Sequence, residues 1–192
     1  MRINYRIIFS FFILILGGLF IVISWKHYQI NKIQNISEIY QYHIDRLNQD
    51  PTFFTLKSAE DFQQDNKKNI YGTLVSFMLA NKYITNHNFP KASSSLQFKT
   101  CYSDKIIKNI CSLRLARIQL YQGYIDKFIN TVNQININSF SWAAIIEDLQ
   151  GNAMIEKGNI KQALRFWHEA MKESTLPFMR YLIKMKIKYF SL

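Results

Sequence analysis

The stretch GNAMIEKGNIKQALRFWHEA at residues 151–170 decides the fold of this chain. Gly151 lies on the apolar face of one predicted helix, and Gly158 ends that helix seven residues later. Ala163, Trp167 and Ala170 then recur at helical spacing along a second segment. A small residue, a glycine stop and a second apolar stripe predict two helices that pack closely across a short turn.

The same spacing occurs twice more, earlier in the chain. The first copy consists of Ala80, His87, Ala92 and Leu96. The second copy consists of Ala116, Gly123, Phe128 and Val132. The leading small residues follow one another at about 35 residues, close to the 34-residue period of tetratricopeptide units. The repeat predicts an all-α, tetratricopeptide-like solenoid of about three to four helix pairs, an architecture that typically binds other proteins.

Helical periodicity extends over the rest of the chain, and no stretch shows the alternation of a strand. The predicted helices are 31–48, 53–64, 70–85, 89–99, 105–122, 125–134, 141–157, 160–173 and 177–190. Pro177 opens the last one, and Leu182, Ile183, Ile187 and Phe190 lie along one predicted side. We expect this helix to cap the array, because a terminal repeat otherwise leaves an apolar face in water.

An apolar run precedes the repeats. The segment Ile7–Ile23 is interrupted only by Ser10 and two glycines, and it reaches bilayer length at residue 25. We therefore predict a short cytoplasmic tail (1–6), a transmembrane anchor (7–25) and a repeat domain (31–192). A cleaved signal peptide is the alternative, but its apolar core is normally shorter. The flanking basic residues nearly balance, so the short tail alone favours a cytoplasmic N-terminus.

The chain is basic, with 24 Lys and Arg against 13 Asp and Glu. The excess is scattered lysine without an arginine tract or a groove-reading motif, so we expect no nucleic acid as a partner. One basic surface is predicted on the last helix. It consists of Arg180, Lys184, Lys186 and Lys188, with Lys172 just before. This surface either contacts anionic lipid of the inner membrane or an acidic partner, or it is ordinary solubilising charge.

No catalytic, metal or cofactor site is predicted, and the chain is not expected to be an enzyme. The four histidines form no pair at metal-binding spacing, and neither a phosphate loop nor a nucleophile elbow occurs. Only two cysteines are present, Cys101 and Cys111. They either form a disulfide in an oxidising compartment or remain two unpaired small core residues. The unpaired interpretation is favoured from sequence alone.

The predicted binding residues follow from the geometry of the array. The first helix of each pair lines the concave surface, so the residue after each small packing residue faces that groove. These residues are Asn81, Arg117 and Asn152, with Phe77 and Asp148 one helical turn before the outer two. The hypothesis is that this stripe contacts an extended peptide or a partner domain. The alternative is a solvated helix face.

The third repeat is more specific than a generic repeat. Residues 141–151, SWAAIIEDLQG, followed by KGN at 157–159, resemble the YfgM family of ancillary SecYEG translocon subunits in bacteria. Supporting motifs are NIYG at 69–72, LRLAR at 113–117 and MKI at 185–187. The order of anchor, repeats and final helix is similar too, so the resemblance covers nearly the whole chain.

The resemblance implies a single-span protein of the inner membrane with its repeat domain in the periplasm. It also implies association with SecYEG and with PpiD, a membrane-anchored chaperone of the prolyl-isomerase type. The implied role is to help newly translocated client proteins onto periplasmic chaperones. Family members usually carry a longer charged segment before the anchor, so contacts made by that segment are not expected here. The alternatives are a scaffold for another envelope assembly and a cytoplasm-facing regulatory partner.

Overall fold

The computed structural model describes residues 5–97, 104–135 and 140–191, with side chains described from residue 17 and not at residues 140 and 141. All regular structure in these ranges is helical, as predicted. The helices are α1 (Tyr5–Gln49), α2 (Phe53–Asp65), α3 (Ile70–Thr85), α4 (Phe89–Ser95), α5 (Lys105–Tyr121), α6 (Ile125–Asn133), α7 (Phe140–Glu156), α8 (Ile160–Glu173) and α9 (Pro177–Phe190).

The first helix is longer than expected. The predicted anchor at 7–25 and the predicted helix at 31–48 are both parts of the single helix α1, whose 45 residues extend over roughly 65 Å. Its last third packs against α2 and α3 and buries Leu47. Within the residues whose placement is described, no helix is long and apolar enough to cross a membrane.

The repeat helices agree closely with the sequence. The bounds of α3, α8 and α9 are those predicted, and the others differ by one or two residues, except at the end of α4. That helix ends at Ser95, and the expected end at Lys99 lies outside the described residues. Apolar periodicity and asparagine caps fix these bounds: Asn69, Asn88 and Asn159 each accept backbone N–H bonds at a helix start.

The three turns within the helix pairs share one geometry. His87, Gly123 and Gly158 each have a positive φ, at 56°, 73° and 71°. In each turn the next residue donates its backbone N–H to a carbonyl five residues back, at 2.8 to 2.9 Å. This is the Schellman arrangement that satisfies the last carbonyls of a helix. The turn therefore repeats even where histidine replaces glycine.

The small residues form the contacts inside each pair. Ala80, Ala116 and Gly151 are all buried, as predicted. A Cβ added at Gly151 would overlap the indole of Trp167, so α7 and α8 approach as closely as the absence of a side chain allows. The core forms two clusters, one between α1 and α5 and the other between α5 and α9. They meet at α5, so the repeats make a continuous core.

Helix α9 corrects two expectations. Leu182 does not share the inner side with Ile183: Ile183 is buried, whereas Leu182 is exposed to solvent. Lys186, predicted as part of the basic surface of this helix, instead forms an ion pair with Asp148 of α7. The reason is that the inner face of α9 is narrow, so residues only 100° apart on the wheel lie on different sides. The helix therefore covers α8 but leaves an apolar outer face of its own.

The cysteines also differ from the expectation. Cys111 on α5 is buried, as expected, but it is disulfide-bonded rather than unpaired. The other cysteine of the chain, Cys101, lies outside the described residues. Sequence spacing alone did not decide between the two alternatives, because a buried cysteine behaves as a small apolar residue in either state.

Candidate protein-binding groove

A groove opens between α3 and α5, on the concave side of the first two repeats. It has a volume of about 520 Å³, within the range of typical binding clefts. Its lining combines apolar side chains with a few polar and positive ones. The lining residues are Phe77, Ala80, Asn81, Ile84, His87, Phe89, Leu96, Arg114, Arg117, Ile118 and Tyr121.

Three of the predicted binding residues line this groove: Phe77, Asn81 and Arg117. Asn81 and Arg117 follow the buried Ala80 and Ala116 and are therefore turned about 100° away from the pair contact. Both are exposed, whereas Phe77 is half-buried at the base. The packing of the helix pairs thus determines which side chains face the groove.

The groove carries positive charge without a compensating carboxylate. The guanidinium of Arg114 lies over the ring of Phe77, with Cζ 4.2 Å from the ring centroid. Arg117 forms no ion pair with any residue in the described ranges. No aspartate or glutamate is among the lining residues. The groove therefore favours a ligand that combines apolar groups with negative charge.

The other two predicted residues lie elsewhere. Asp148 and Asn152 are on α7, and neither lines the groove between α3 and α5. Lys186 of α9 donates to both oxygens of Asp148, at 2.7 and 2.9 Å, and to Asn152 Oδ1 at 3.0 Å. These two residues are thus bound within the chain. The five predicted residues are not brought together as one cluster.

Sequence reasoning missed several residues of the groove. Arg114 lies three residues before Arg117 on α5, whereas Phe77 and Asp148 lie four residues before Asn81 and Asn152. The four-residue step applied to α5 leads instead to Leu113, which is buried in the core, so it does not identify Arg114. Tyr121 and Phe89 carried no signal either, because their rings meet across two helices at 5.1 Å between centroids. That contact depends on how the repeats stack.

The described residues contain no group of three or more His, Cys, Asp or Glu side chains placed to hold a metal ion. The pKa of one carboxyl group on α7 is shifted. Burial, followed by the negative charges of Glu173 and Glu169, raises the pKa of Glu147. Its Oε2 is buried without a hydrogen-bond partner in the described residues.

Helix pairs of constant spacing, Schellman turns and an open concave groove define a helical-repeat protein of the tetratricopeptide-like class. A family model described as a tetratricopeptide repeat-like domain matches residues 2–191. The chain is 30% identical over 169 residues to the ancillary SecYEG translocon subunit of Escherichia coli strain K12, which covers 88% of this chain and 80% of that protein.

Two further relatives carry the same description. The protein of Buchnera aphidicola subsp. Schizaphis graminum is 35% identical, over 69% of this chain and 67% of its own. The protein of Haemophilus influenzae is 29% identical, over 96% of this chain and 89% of its own length. The chain therefore belongs to the YfgM family of ancillary SecYEG translocon subunits. No solved structure gives a significant match.

Proposed function

We propose that this protein is a non-catalytic adaptor of the bacterial inner membrane, accessory to the SecYEG translocon. Its relatives are described as ancillary subunits of that translocon. The observation that carries the proposal is the open groove between α3 and α5, which offers apolar surface and an arginine that forms no ion pair with the described residues. Tetratricopeptide-like arrays typically use such concave surfaces to bind extended segments of other proteins.

The proposed topology is a single N-terminal anchor at residues 7–25, with residues 1–6 in the cytoplasm and the repeat domain in the periplasm. The unbroken apolar run Ile7–Ile23 supports the anchor. The disulfide at Cys111 supports a periplasmic repeat domain, because disulfides persist in oxidising compartments and are rare in the cytosol.

The proposed partners are SecYEG itself and a membrane-anchored chaperone similar to PpiD, with handover of newly translocated client proteins as the outcome. Within this proposal Phe77 supplies an apolar contact at the base of the groove. Asn81 offers an amide to a partner backbone, and Arg117 offers a positive charge at the rim. Asp148 and Asn152 remain a prediction for the same surface, although Lys186 now contacts both.

The test is photo-crosslinking in cells from a benzoylphenylalanine residue introduced at position 81 of the full chain. We expect products that contain a SecYEG subunit or a PpiD-like chaperone. Charge reversal in Arg117→Glu should remove most of these products. The matched control is Arg165→Glu, which reverses the same charge at an exposed position of α8 outside the groove.

Two results would overturn parts of the proposal. Products containing only an unrelated envelope assembly would replace the translocon as the partner. Equal crosslinking in Arg117→Glu and in Arg165→Glu would show that the groove does not form the contact. An alkaline phosphatase fusion at the C-terminus, inactive in the cytoplasm, tests the topology independently of either outcome.

A further inference from the structure

Helix α9 continues the repeat. Asn81, Arg117, Asn152 and Lys186 follow one another at 34 to 36 residues, on α3, α5, α7 and α9. Lys186 contacts Asn152 on the preceding helix of this series, and Phe190 packs on Trp167 with ring centroids 5.4 Å apart. Helix α9 thus occupies the position of the first helix of a fourth pair.

In a complete pair the second helix covers one face of the first. On α7 that face contains Gly151, which lies against Trp167, and the backbone of Asp148, whose carbonyl accepts a bond from Trp167 Nε1 at 3.3 Å. The positions 34 residues later are Met185 and Leu182. Both are exposed, so no described residue covers the equivalent face of α9.

This outer face of α9 is a continuous apolar stripe. Its members recur at three- and four-residue steps, which places them on one side of the helix. They are Phe178, Tyr181, Leu182, Met185 and Tyr189, with relative exposures of 42% to 73%. Contiguous exposed aromatic and aliphatic side chains of this kind mark interaction sites rather than ordinary solvent-facing surface.

A basic row borders the stripe. Arg180, Lys184 and Lys188 recur at four-residue steps, all three are exposed, and none forms an ion pair with a described residue. Helix α9 contains no aspartate or glutamate. A binding partner that covers the apolar stripe therefore brings its edge alongside three unpaired positive charges.

We propose that the outer face of α9 is a docking site for an amphipathic helix of another protein, whose apolar stripe is bordered by acidic residues. The favoured occupant is a helix because the equivalent face is covered by a helix in each complete pair. The side-chain sizes on the two helices are exchanged, however: the first helix carries the small residue Gly151 on α7 but the large residue Met185 on α9. The docked helix should therefore carry small residues, such as alanine, opposite the large side chains of α9.

A second copy of this chain is a poor occupant. A two-fold contact would place α9 against a second α9, which contains no aspartate or glutamate to meet the basic row. Like charges placed side by side cost several kcal/mol at an interface. An anionic lipid surface would neutralise the basic row. It is nevertheless disfavoured, because the equivalent face of each complete helix pair in the described residues is covered by another helix. Phe, Tyr, Met and Arg are also enriched at protein interfaces.

The experiment places a benzoylphenylalanine at position 185 of the full chain in cells and maps the crosslinked residue of the partner by mass spectrometry. We expect it to lie in a helix with a stripe of small apolar residues beside aspartates or glutamates. The triple variant R180E, K184E and K188E should reduce the yield by about tenfold. The control variant Arg165→Glu should leave the yield unchanged.

Crosslinks to lipid alone, to a second copy of this chain, or to a partner segment without acidic residues would overturn the proposal. An unchanged yield in the triple variant would also overturn it. All three basic side chains are exposed, so the thermal unfolding of this variant should match that of the unaltered chain. The site on α9 is separate from the groove, so Arg117→Glu should leave crosslinking from position 185 intact. The experiments at positions 81 and 185 therefore test the proposed function and the α9 docking site independently.

Discussion

The two ends of the concave surface use equivalent positions in opposite ways. In the second half, Lys186 of α9 reaches back to Asp148 and Asn152 of α7. In the first half, Arg117 of α5 has Phe77 and Asn81 at the corresponding places on α3, and it forms no ion pair with a described residue. Two asparagines match, and a carboxylate in one half corresponds to a phenyl ring in the other. Lys186 therefore has a carboxylate to bind in the second half, whereas Arg117 has none at the corresponding position in the first.

The comparison shows what a repeat does and does not determine. The helix spacing fixes which positions face the groove, but the residue at each position decides whether the chain binds itself there. A positive side chain opposite a carboxylate forms an intramolecular bridge, and Phe77 offers no carboxylate to Arg117. We therefore locate the binding capacity of the concave surface in the α3–α5 half.

The largest expected effect is a loss of stability when a large side chain is removed from the core of either half. Trp167 and Leu96 occupy equivalent positions in the third and first repeats and are 1% and 2% exposed. Trp167→Ala should lower the free energy of unfolding by about 3–5 kcal/mol, because it leaves a large cavity against Gly151. Leu96→Ala should cost about 2–4 kcal/mol. Chemical denaturation measures the free energy of unfolding of both variants. A smaller loss of stability in Trp167→Ala than in Leu96→Ala would show that the second half collapses around the cavity.

The next effect tests the closure directly. Lys186→Met should cost about 1–2 kcal/mol of stability, because it leaves the partly buried Asp148 without its cation. The matched variant Arg117→Met should change stability by less than about 0.5 kcal/mol, since that arginine has no partner to lose. The measurement is the same denaturation curve. Equal losses in the two variants would contradict the contrast between the halves.

The smallest effect is a pH dependence confined to the second half. The pKa of Glu147 is raised in the folded chain, so folding favours the neutral acid. The contribution of Glu147 to the free energy of unfolding is fully present below its ordinary pKa of 4.5. It declines as the pH rises through the higher pKa that the group has in the folded chain. Glu147→Gln should therefore be more stable than the unaltered chain at neutral pH, by less than about 1 kcal/mol because solvent reaches the group.

The two unfolding curves for this last pair should converge below about pH 4, where the glutamate is protonated in both states. Asp61→Asn on α2 is a suitable comparison in the first half, because Asp61 lies in an exposed ion pair with Lys57. A Glu147→Gln variant that is less stable than the unaltered chain at pH 7 would show that the carboxylate is favourably solvated.

Much of the architecture was accessible from sequence. The spacing of Ala80, Ala116 and Gly151 correctly predicted the helix pairs, and it also placed Asn81 and Arg117 on the groove side. These predictions succeeded because helical periodicity is local: each position on the wheel follows from its neighbours within about two turns. The Schellman turns at Gly123 and Gly158 followed from the same local rule.

The errors concern contacts between repeats. Leu182 was assigned to the wrong side of α9, and Lys186 was expected as part of its basic surface. The pairing of Cys111 was likewise not decided by its neighbours. In each case the answer depends on residues outside the helix concerned, which a wheel projection of a single helix does not contain.

By itself, the sequence determined the class of protein: an apolar N-terminal run, a 35-residue period and the motifs at 141–159 were enough to predict an all-α array and its family. Tertiary structure alone decided which surfaces remain free. It paired Asp148 with Lys186, gave Arg117 no ion pair among the described residues and exposed the outer face of α9. The physical reason is that periodicity fixes the direction of a side chain, whereas its availability depends on whether a distant helix brings a complementary group within hydrogen-bonding reach.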